Sequence, residues 1–369
     1  MQTTTMCAMQ LTGFGGPEML QYRRDLPLPQ PAPGEVLIEV GACGINNTDI
    51  WTREGGYASS EDPDAVSSFQ REASTLVFPR IQGADIVGAI VGVGEGVDAH
   101  RIGARVLVDF SIYNGRSDGT ADMDVGNMDY IGNGRDGGFA EFVTVAADQA
   151  RAIDSDLSDI ELATFCCAGV TAEHLLERAA VQSGEHVLVT GASGGVGSIA
   201  IQLCRARGAI PHAITSASKS GVLLALGAAS VIDRDSDDLL EAIRKQSGRA
   251  DMDVVIDVVG GARLNPLLDV LRPAGRYATC GAIADPMVTI DLRTLYLKHL
   301  QIHGSSQGSR RDFDQLVEYI EAGVLRPLVG GVYKLSELPR AQSDFKRKQF
   351  IGKLVVVPDS KWSELIRQN

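Results

Sequence analysis

The segment "HVLVTGASGGVGSIAIQLCRARGA", residues 186–209, constrains this chain more than any other. A short apolar run ends in a turn holding Gly194, Gly195 and Gly197, and a helical pattern begins at once. Ile199, Ala200, Leu203 and Cys204 share one face of that helix, and Gly208 stands where its C-terminus would stop. Glycine lets the backbone approach a ligand closely, because no Cβ intervenes. The first N–H groups of the helix lack intrahelical partners and lie at the positive end of its dipole, which suits a pyrophosphate. In the order strand, glycine turn, helix, this is a dinucleotide-binding fingerprint. The expected cofactor contacts are Ser193, Gly194, Gly195, Val196 and Gly197.

The texture continues downstream. "HAITS" precedes "GVLLALGA", "DVVIDVV" precedes "LNPLLDVLR", and "GRYATCG" and "LQIHGSS" come after them. Short apolar strands alternating with helices predict an α/β fold with a doubly wound parallel sheet. Pro211 fits such a sheet only at the start of its strand. Before about Asp154 the pattern is β-rich: "EVLIEV", "GADIVGAIVGVGEGV" and "GGFAEFVTVAAD" read as strands. Ala58–Phe78 and the Gly/Asp-rich stretch from Ser111 to Gly137 read as polar insertions. The tail, "DFDQLVEYIEAG" to "GKLVVVP", is helical and then strand-like, and is expected to rejoin the first domain.

A chain of 369 residues suits two domains, and 44% apolar with 22% charged residues is a globular composition. The balance of 34 basic against 47 acidic residues gives −13, which argues against nucleic acid or an anionic membrane as partner. No apolar run reaches the ~18 residues of a membrane span, and the opening residues lack an export signal's basic-then-apolar order. Six scattered cysteines without a CxxC suggest no disulfide framework, so a cytoplasmic location is expected.

The choice of dinucleotide turns on the residues just past the second strand. An NAD site places Asp or Glu ~20 residues after the glycines, yet Thr190 through Ile232 contains neither. "TSASKS" instead offers Thr215, Ser216 and Lys219, hydroxyls and an ammonium suited to a 2′-phosphate, which points to NADP(H). The alternative is a solvated Lys219 at a helix start and a site indifferent to that phosphate.

These features, with "PAPGEVLIEVGACGIN", "DGGFAEFVTV", "CAGVTAEHLL", "DVVIDVVGG" and "GKLVVVP", resemble the medium-chain dehydrogenase/reductase superfamily over nearly the whole chain. The resemblance implies a GroES-like β-rich catalytic domain from residues 1–160 and 306–369, a Rossmann domain over 161–305, and an active cleft between the two. Its zinc-dependent members carry metal ligands where this chain has Asn46, Ala84 and Cys167. One sulfur cannot hold a catalytic zinc, which needs three protein ligands and an open position. The structural-zinc lobe, residues 109–136, has no cysteine, only carboxylates such as Asp109, Asp129 and Asp136, more naturally solvated than metal-binding.

"GACGINNTDIWTREGGY" resembles the zinc-independent quinone oxidoreductase branch instead, with Asn46, Asp49, Arg53, Gly55 and Tyr57 fitting its pattern. The implied activity is hydride transfer from NADPH to a quinone, enone or related carbonyl. A zinc-type alcohol dehydrogenase with atypical ligands and a dinucleotide-binding sensor without turnover remain the alternatives. The expected catalytic residues are Asn46, Tyr57 and Thr171, although a structural amide, a packed phenol and a helix-start hydroxyl are the plainer roles for each. Val259, Gly281 and Lys353 complete the expected cofactor contacts, Asp49 and Arg53 are expected to pair, and Cys167 to be a buried thiol. A homodimer through the edge near "LQIHGSS" is a family expectation.

Overall fold

From Glu35 onward the N-terminal part forms strands where Val and Ile cluster between glycine turns, whereas the first two strands, TMCAMQL and LQYRRDLP, carry almost no β-branched residues. The computed structural model describes residues 4–56, 76–113 and 128–368. Its first elements are β1 (Thr5–Leu11), β2 (Leu20–Pro27), β3 (Glu35–Gly44), α1 (Asn47–Arg53), β4 (Arg80–Ile81), β5 (Asp85–Val93), β6 (Arg105–Val108), β7 (Ser111–Tyr113), β8 (Met128–Tyr130), β9 (Phe142–Ala146), β10 (Ala150–Ala152) and α2 (Asp159–Leu162). Strand β3 departs from simple alternation, because Val36, Leu37 and Ile38 are all buried. It pairs with β5 along most of its length and with β9 along Glu35–Glu39, so both of its edges are occupied there.

The next stretch runs α3 (Cys166–Arg178), β11 (His186–Val189), α4 (Gly195–Ala206), β12 (Ile210–Thr215), α5 (Ser220–Ala225), β13 (Ser230–Asp233), α6 (Leu239–Ser247), β14 (Met252–Asp257), α7 (Leu264–Asp269), β15 (Leu271–Thr279), α8 (Leu292–Leu297) and β16 (Gln301–Gly304). The six strands form a parallel sheet in the order β13-β12-β11-β14-β15-β16. That order reverses between β11 and β14, creating the switch point where such sheets bind nucleotides. Leu188, Ile214, Ile232, Val255, Leu268 and Tyr277 are among the residues of its core. Pro211 is the second residue of an interior strand, tolerated because the β12–β13 ladder starts only at His212.

The chain closes with α9 (Arg310–Glu321), β17 (Val329–Lys334), α10 (Leu338–Arg347), β18 (Lys353–Val357) and α11 (Trp362–Gln368). Strand β18 pairs with the end of β3, Val355 against Gly44 and Val356 against Cys43, and joins β17 to the sheet β10-β6-β5-β3-β18-β17. Two compact units result. One takes the described chain through Cys167 together with Ser309–Phe313 and everything from Pro327; the other takes Ala168–Gly308 and Asp314–Arg326. Among the described residues no helix is long and apolar enough to cross a membrane.

Candidate active site

In the parallel-sheet unit, the loops after β11, β12, β14 and β15 all leave the carboxyl edge of the sheet. They carry Ser193–Gly197, Ser216–Lys219, Val259 and Gly281, while Thr215 ends β12. The glycine loop is fixed by its own geometry. Gly191 has φ +56°, and Gly197 packs so tightly on it that a Cβ would come within 2.5 Å of Gly191 O and 2.7 Å of Ala192 Cα. A Cβ on Gly194 would meet only Gly191 O, at 3.4 Å, leaving the loop's outer face open. Helix α4 starts at Gly195 with half-buried Ser193–Val196 around its first turn. Its unpartnered N–H groups beside an open glycine face fit a pyrophosphate.

A carboxylate the sequence did not flag holds the adjacent loop. Asp257, fully buried at the end of β14, accepts from the Thr190 hydroxyl, Val259 N (2.9 Å), Gly260 N (3.2 Å) and the Tyr277 hydroxyl (2.5 Å). No cation pairs with it in these bonds; donors alone fix the 258–260 turn. Burial, then the Asp257 carboxylate, raises the Tyr277 phenol far above its usual range, so it remains a donor. After β12, Lys219 is half-buried and its pKa is lowered by burial and then by the neighbouring Arg234 cation. Arg234 is a second positive charge at this edge, tied in through its N–H to Thr215 O (2.8 Å). Asp233 also lies there, opposite Thr215, and accepts from Asp235 N (3.2 Å). Thr171 is buried on α3.

The GroES-like unit gathers a different set. Lys353, the first residue of β18, is buried, and its ammonium sits 2.6 Å from Asp85 Oδ2 and donates to Asn46 Oδ1. Asp85 is fully buried, and its Oδ1 accepts from Cys167 N at 2.7 Å. Burial pushes the Lys353 ammonium down, but Asp85 and then Cys167 outweigh it and hold the pKa above the ordinary lysine value. Asp49 Oδ2 accepts from Asn46 N (2.7 Å) at the start of α1. Burial raises Asp49 to about 7, the Asp85 charge adding to it while the Asn46 N–H and Lys353 oppose. Among the described residues Asn46 Nδ2 and Thr48 Oγ1, both buried, find no hydrogen-bond partner.

Several expectations change here. Asp49 and Arg53 do not pair: Arg53 Nε donates to Gln342 Oε1 (2.8 Å) and its guanidinium reaches Gly15 O and Glu54. Asp49 turns back to cap α1 through Asn46 N while Arg53 turns to the C-terminal part of the chain. Cys167 is half-buried; the fully buried thiol is its neighbour Cys166. Asn46 and Lys353, assigned separately to substrate and cofactor, are bonded to each other. Tyr57, most of the 58–78 insertion, and Asp118, Asp122 and Asp124 lie outside the described residues. Of the described lobe carboxylates, Asp129 Oδ1 accepts from Tyr130 N and Asn133 Nδ2 (both 2.8 Å), and Asp136 accepts from Arg80 (3.1 Å) and Ile81 N (3.0 Å). Asp85 was missed, though a lone acid in "GADIVGAIVG" and a lone base in "IGKLVVV" are opposite charges in apolar strands, which burial forces to pair.

A parallel sheet of this order with a glycine-loop phosphate site, in one chain with a β-rich unit holding a buried polar cluster, defines a nicotinamide-dinucleotide-dependent oxidoreductase. The family description "Alcohol dehydrogenase GroES-like domain" matches residues 32–155, and "Zinc-binding dehydrogenase" matches residues 195–322. The chain is 30% identical to the quinone oxidoreductase of Lama guanicoe, covering 95% of this chain and 97% of that one. It is 28% identical to the NAD-dependent alcohol dehydrogenase of Sulfolobus acidocaldarius, covering 95% and 99%. A crystal structure of an alcohol dehydrogenase candidate from Sinorhizobium meliloti 1021 superposes with a TM-score of 0.92 at 59% identity, covering 97% and 98%. This chain belongs to the medium-chain dehydrogenase/reductase superfamily.

The zinc in one family description does not fit the residues here. Of the positions that hold ligands in the metal-binding members, Ala84 has no donor, and Asn46 Oδ1 is taken by the Lys353 ammonium. Among the described residues no group of three or more His, Cys, Asp or Glu side chains is placed to hold a metal ion.

Proposed function

We propose that this oxidoreductase is a zinc-independent, NADPH-dependent reductase of quinones, enones or related carbonyls. The observation that carries the reading is the Lys353 ammonium bonded to Asn46 and paired with Asp85, a positive charge set against the position of a missing metal ligand. The likeness to quinone oxidoreductases over almost the full chain agrees with it. The preference for NADPH is supported by Lys219 and Arg234 together after β12 and by the absence of a carboxylate from Thr190 to Ile232. Arg234 lowers the Lys219 pKa and also meets Asp235 at 3.5 Å, so the edge is cationic with one carboxylate beside it.

When bound, the reduced dinucleotide supplies a hydride. Ser193–Gly197 would hold its pyrophosphate, Thr215, Ser216 and Lys219 its 2′-phosphate, and Val259 and Gly281 line the same edge. Asn46, Tyr57 and Thr171 are the candidates for orienting the reacting carbonyl, and orientation supplies much of the acceleration in such chemistry. We further propose a cytoplasmic homodimer. Six free thiols suit a reducing compartment, and exposed Leu292, Tyr296 and Leu297 on α8 and Ile302 on the edge strand β16 supply apolar surface for a second copy.

The test is consumption of NADPH, followed at 340 nm, across a panel of quinones and enones with protein purified without chelator. Turnover that survives exhaustive chelation and favours NADPH over NADH is expected. Stoichiometric zinc with chelator-sensitive turnover would sink the reading.

A further inference from the structure

Lys353 raises a question that the reductase reading leaves open. A buried ion pair is a poor fastener, because apolar side chains of similar volume often stabilise as well or better. Strand β18 is otherwise "LVVV", all buried, so packing alone would hold it in the sheet. A cation here nonetheless meets Asp85 at 2.6 Å and Asn46, and the same carboxylate takes the N–H of Cys167. It therefore touches one position at which metal-binding members of the superfamily place a ligand, Asn46, and is tied through Asp85 to a second. Beside it, Asn46 has its orientation set by the bond from Lys353, yet its buried Nδ2, like Thr48 Oγ1, has no hydrogen-bond partner among the described residues. Orphaned buried polar groups are destabilising, and a ligand accepting from them removes that cost.

We infer that the Lys353 ammonium is the cationic centre that stabilises negative charge developing on the substrate's oxygen, with Asp85 as its positioning residue and Asn46 Nδ2 as a second donor to that oxygen. This rests on the reductase reading above. In enone reduction the substrate's β-carbon accepts a hydride, the C=C electron pair shifts to leave an enolate oxygen, and the α-carbon then takes a proton from water. The two electrons come from the reduced dinucleotide; the ammonium gives up no proton and balances the enolate charge while it lasts. A preorganised donor of this kind is worth about 10²–10³ in kcat. Asp85 is assigned its role by geometry: one oxygen holds Lys353, the other the N–H of Cys167, so the ammonium is referenced to the start of α3 as well as to β18.

The experiment compares wild type with Lys353→Met, Lys353→Arg and the double variant Asp85→Asn/Lys353→Met, the last leaving no uncompensated buried carboxylate if the single variant folds poorly. Each is measured for kcat and KM with the best quinone or enone, for NADPH Kd by fluorescence quenching, and for the spectrum of bound 4-nitrophenol. Expected are a kcat loss of about 10²–10³ in both Met variants, partial recovery in Lys353→Arg, and NADPH Kd within about twofold of wild type. Bound 4-nitrophenol should ionise about one pH unit lower in wild type than in the Met variants, an order of magnitude in the phenolate equilibrium. A Met variant with wild-type kcat, or one whose only defect is a raised NADPH Kd, would overturn the inference while leaving the reductase reading intact. A wild type inactive on every quinone and enone would overturn both.

Discussion

Replacing Asp257 by Asn tests whether hydrogen-bond donors alone hold the nucleotide edge together. The carboxylate accepts from Thr190, Val259 N, Gly260 N and Tyr277, with no cation among these donors. Asparagine keeps the shape and one acceptor oxygen but loses the charge. Thr190 and Val259 bond Oδ1 and Tyr277 bonds Oδ2, so an amide that keeps Oδ1 weakens the first two by about 1 kcal/mol each and loses the Tyr277 bond, about 1.5–3 kcal/mol. The total, about 4 kcal/mol, corresponds to a fall in Tm of about 8–16 °C for a unit of this size. Tyr277→Phe removes one donor from an otherwise intact carboxylate and should cost about 1.5–3 kcal/mol. The two losses should not add, since the variants remove the same bond. Circular dichroism melts of the single and double variants measure all three values. An Asp257→Asn protein melting within about 1 °C of wild type, or strict additivity, would refute the argument that the carboxylate is the common anchor.

Three further outcomes are expected. Gly197→Ala should abolish dinucleotide binding or the unit's folding, because its Cβ would press on backbone at 2.5 Å; fluorescence titration with NADPH checks it. Lys219→Ala should raise NADPH Kd about tenfold or more, the worth of one charge-assisted phosphate bond, and leave NADH Kd unchanged. Burial, then the His186 ring and Arg249, lowers His212 to about 4 in the folded chain. The neutral ring is thus favoured by folding, so its contribution is complete above about pH 6.5 and is lost as pH falls from there towards 4. His212→Gln should flatten that part of a urea-stability profile, and an unchanged slope would count against the His186–His212–Ser230 chain as its source.

The features legible in the sequence were local ones. The glycine loop, α4 and the alternating strands declare themselves within a dozen residues, since each needs only its own periodicity and turn chemistry. The polar cluster could not be read that way, because Asn46 and Lys353 are 307 positions apart and Arg53 finds Gln342 across 289. Arg234 reaches the Lys219 edge only because β13 lies beside β12. The expected Asp49–Arg53 pair failed at both ends: Asp49 caps its own helix through Asn46 N, and Arg53 is taken by the distant Gln342. The one legible trace of the cluster was electrostatic, two lone charges of opposite sign in apolar strands.

The pairing of β18 with β3 sets an order of events during synthesis. Residues Cys43 and Gly44 leave the ribosome long before Val355 and Val356, the strand partners they require. The parallel-sheet unit, almost wholly contiguous, has all its strands by Gly304. The portion begun first is therefore the last to close, and until it does, β3 presents an unpaired strand end and Asp85 an uncompensated charge to the surroundings. Ribosome-bound intermediates stalled before residue 353 should accordingly be protease-resistant in the nucleotide unit and cleavable around β3 and β5.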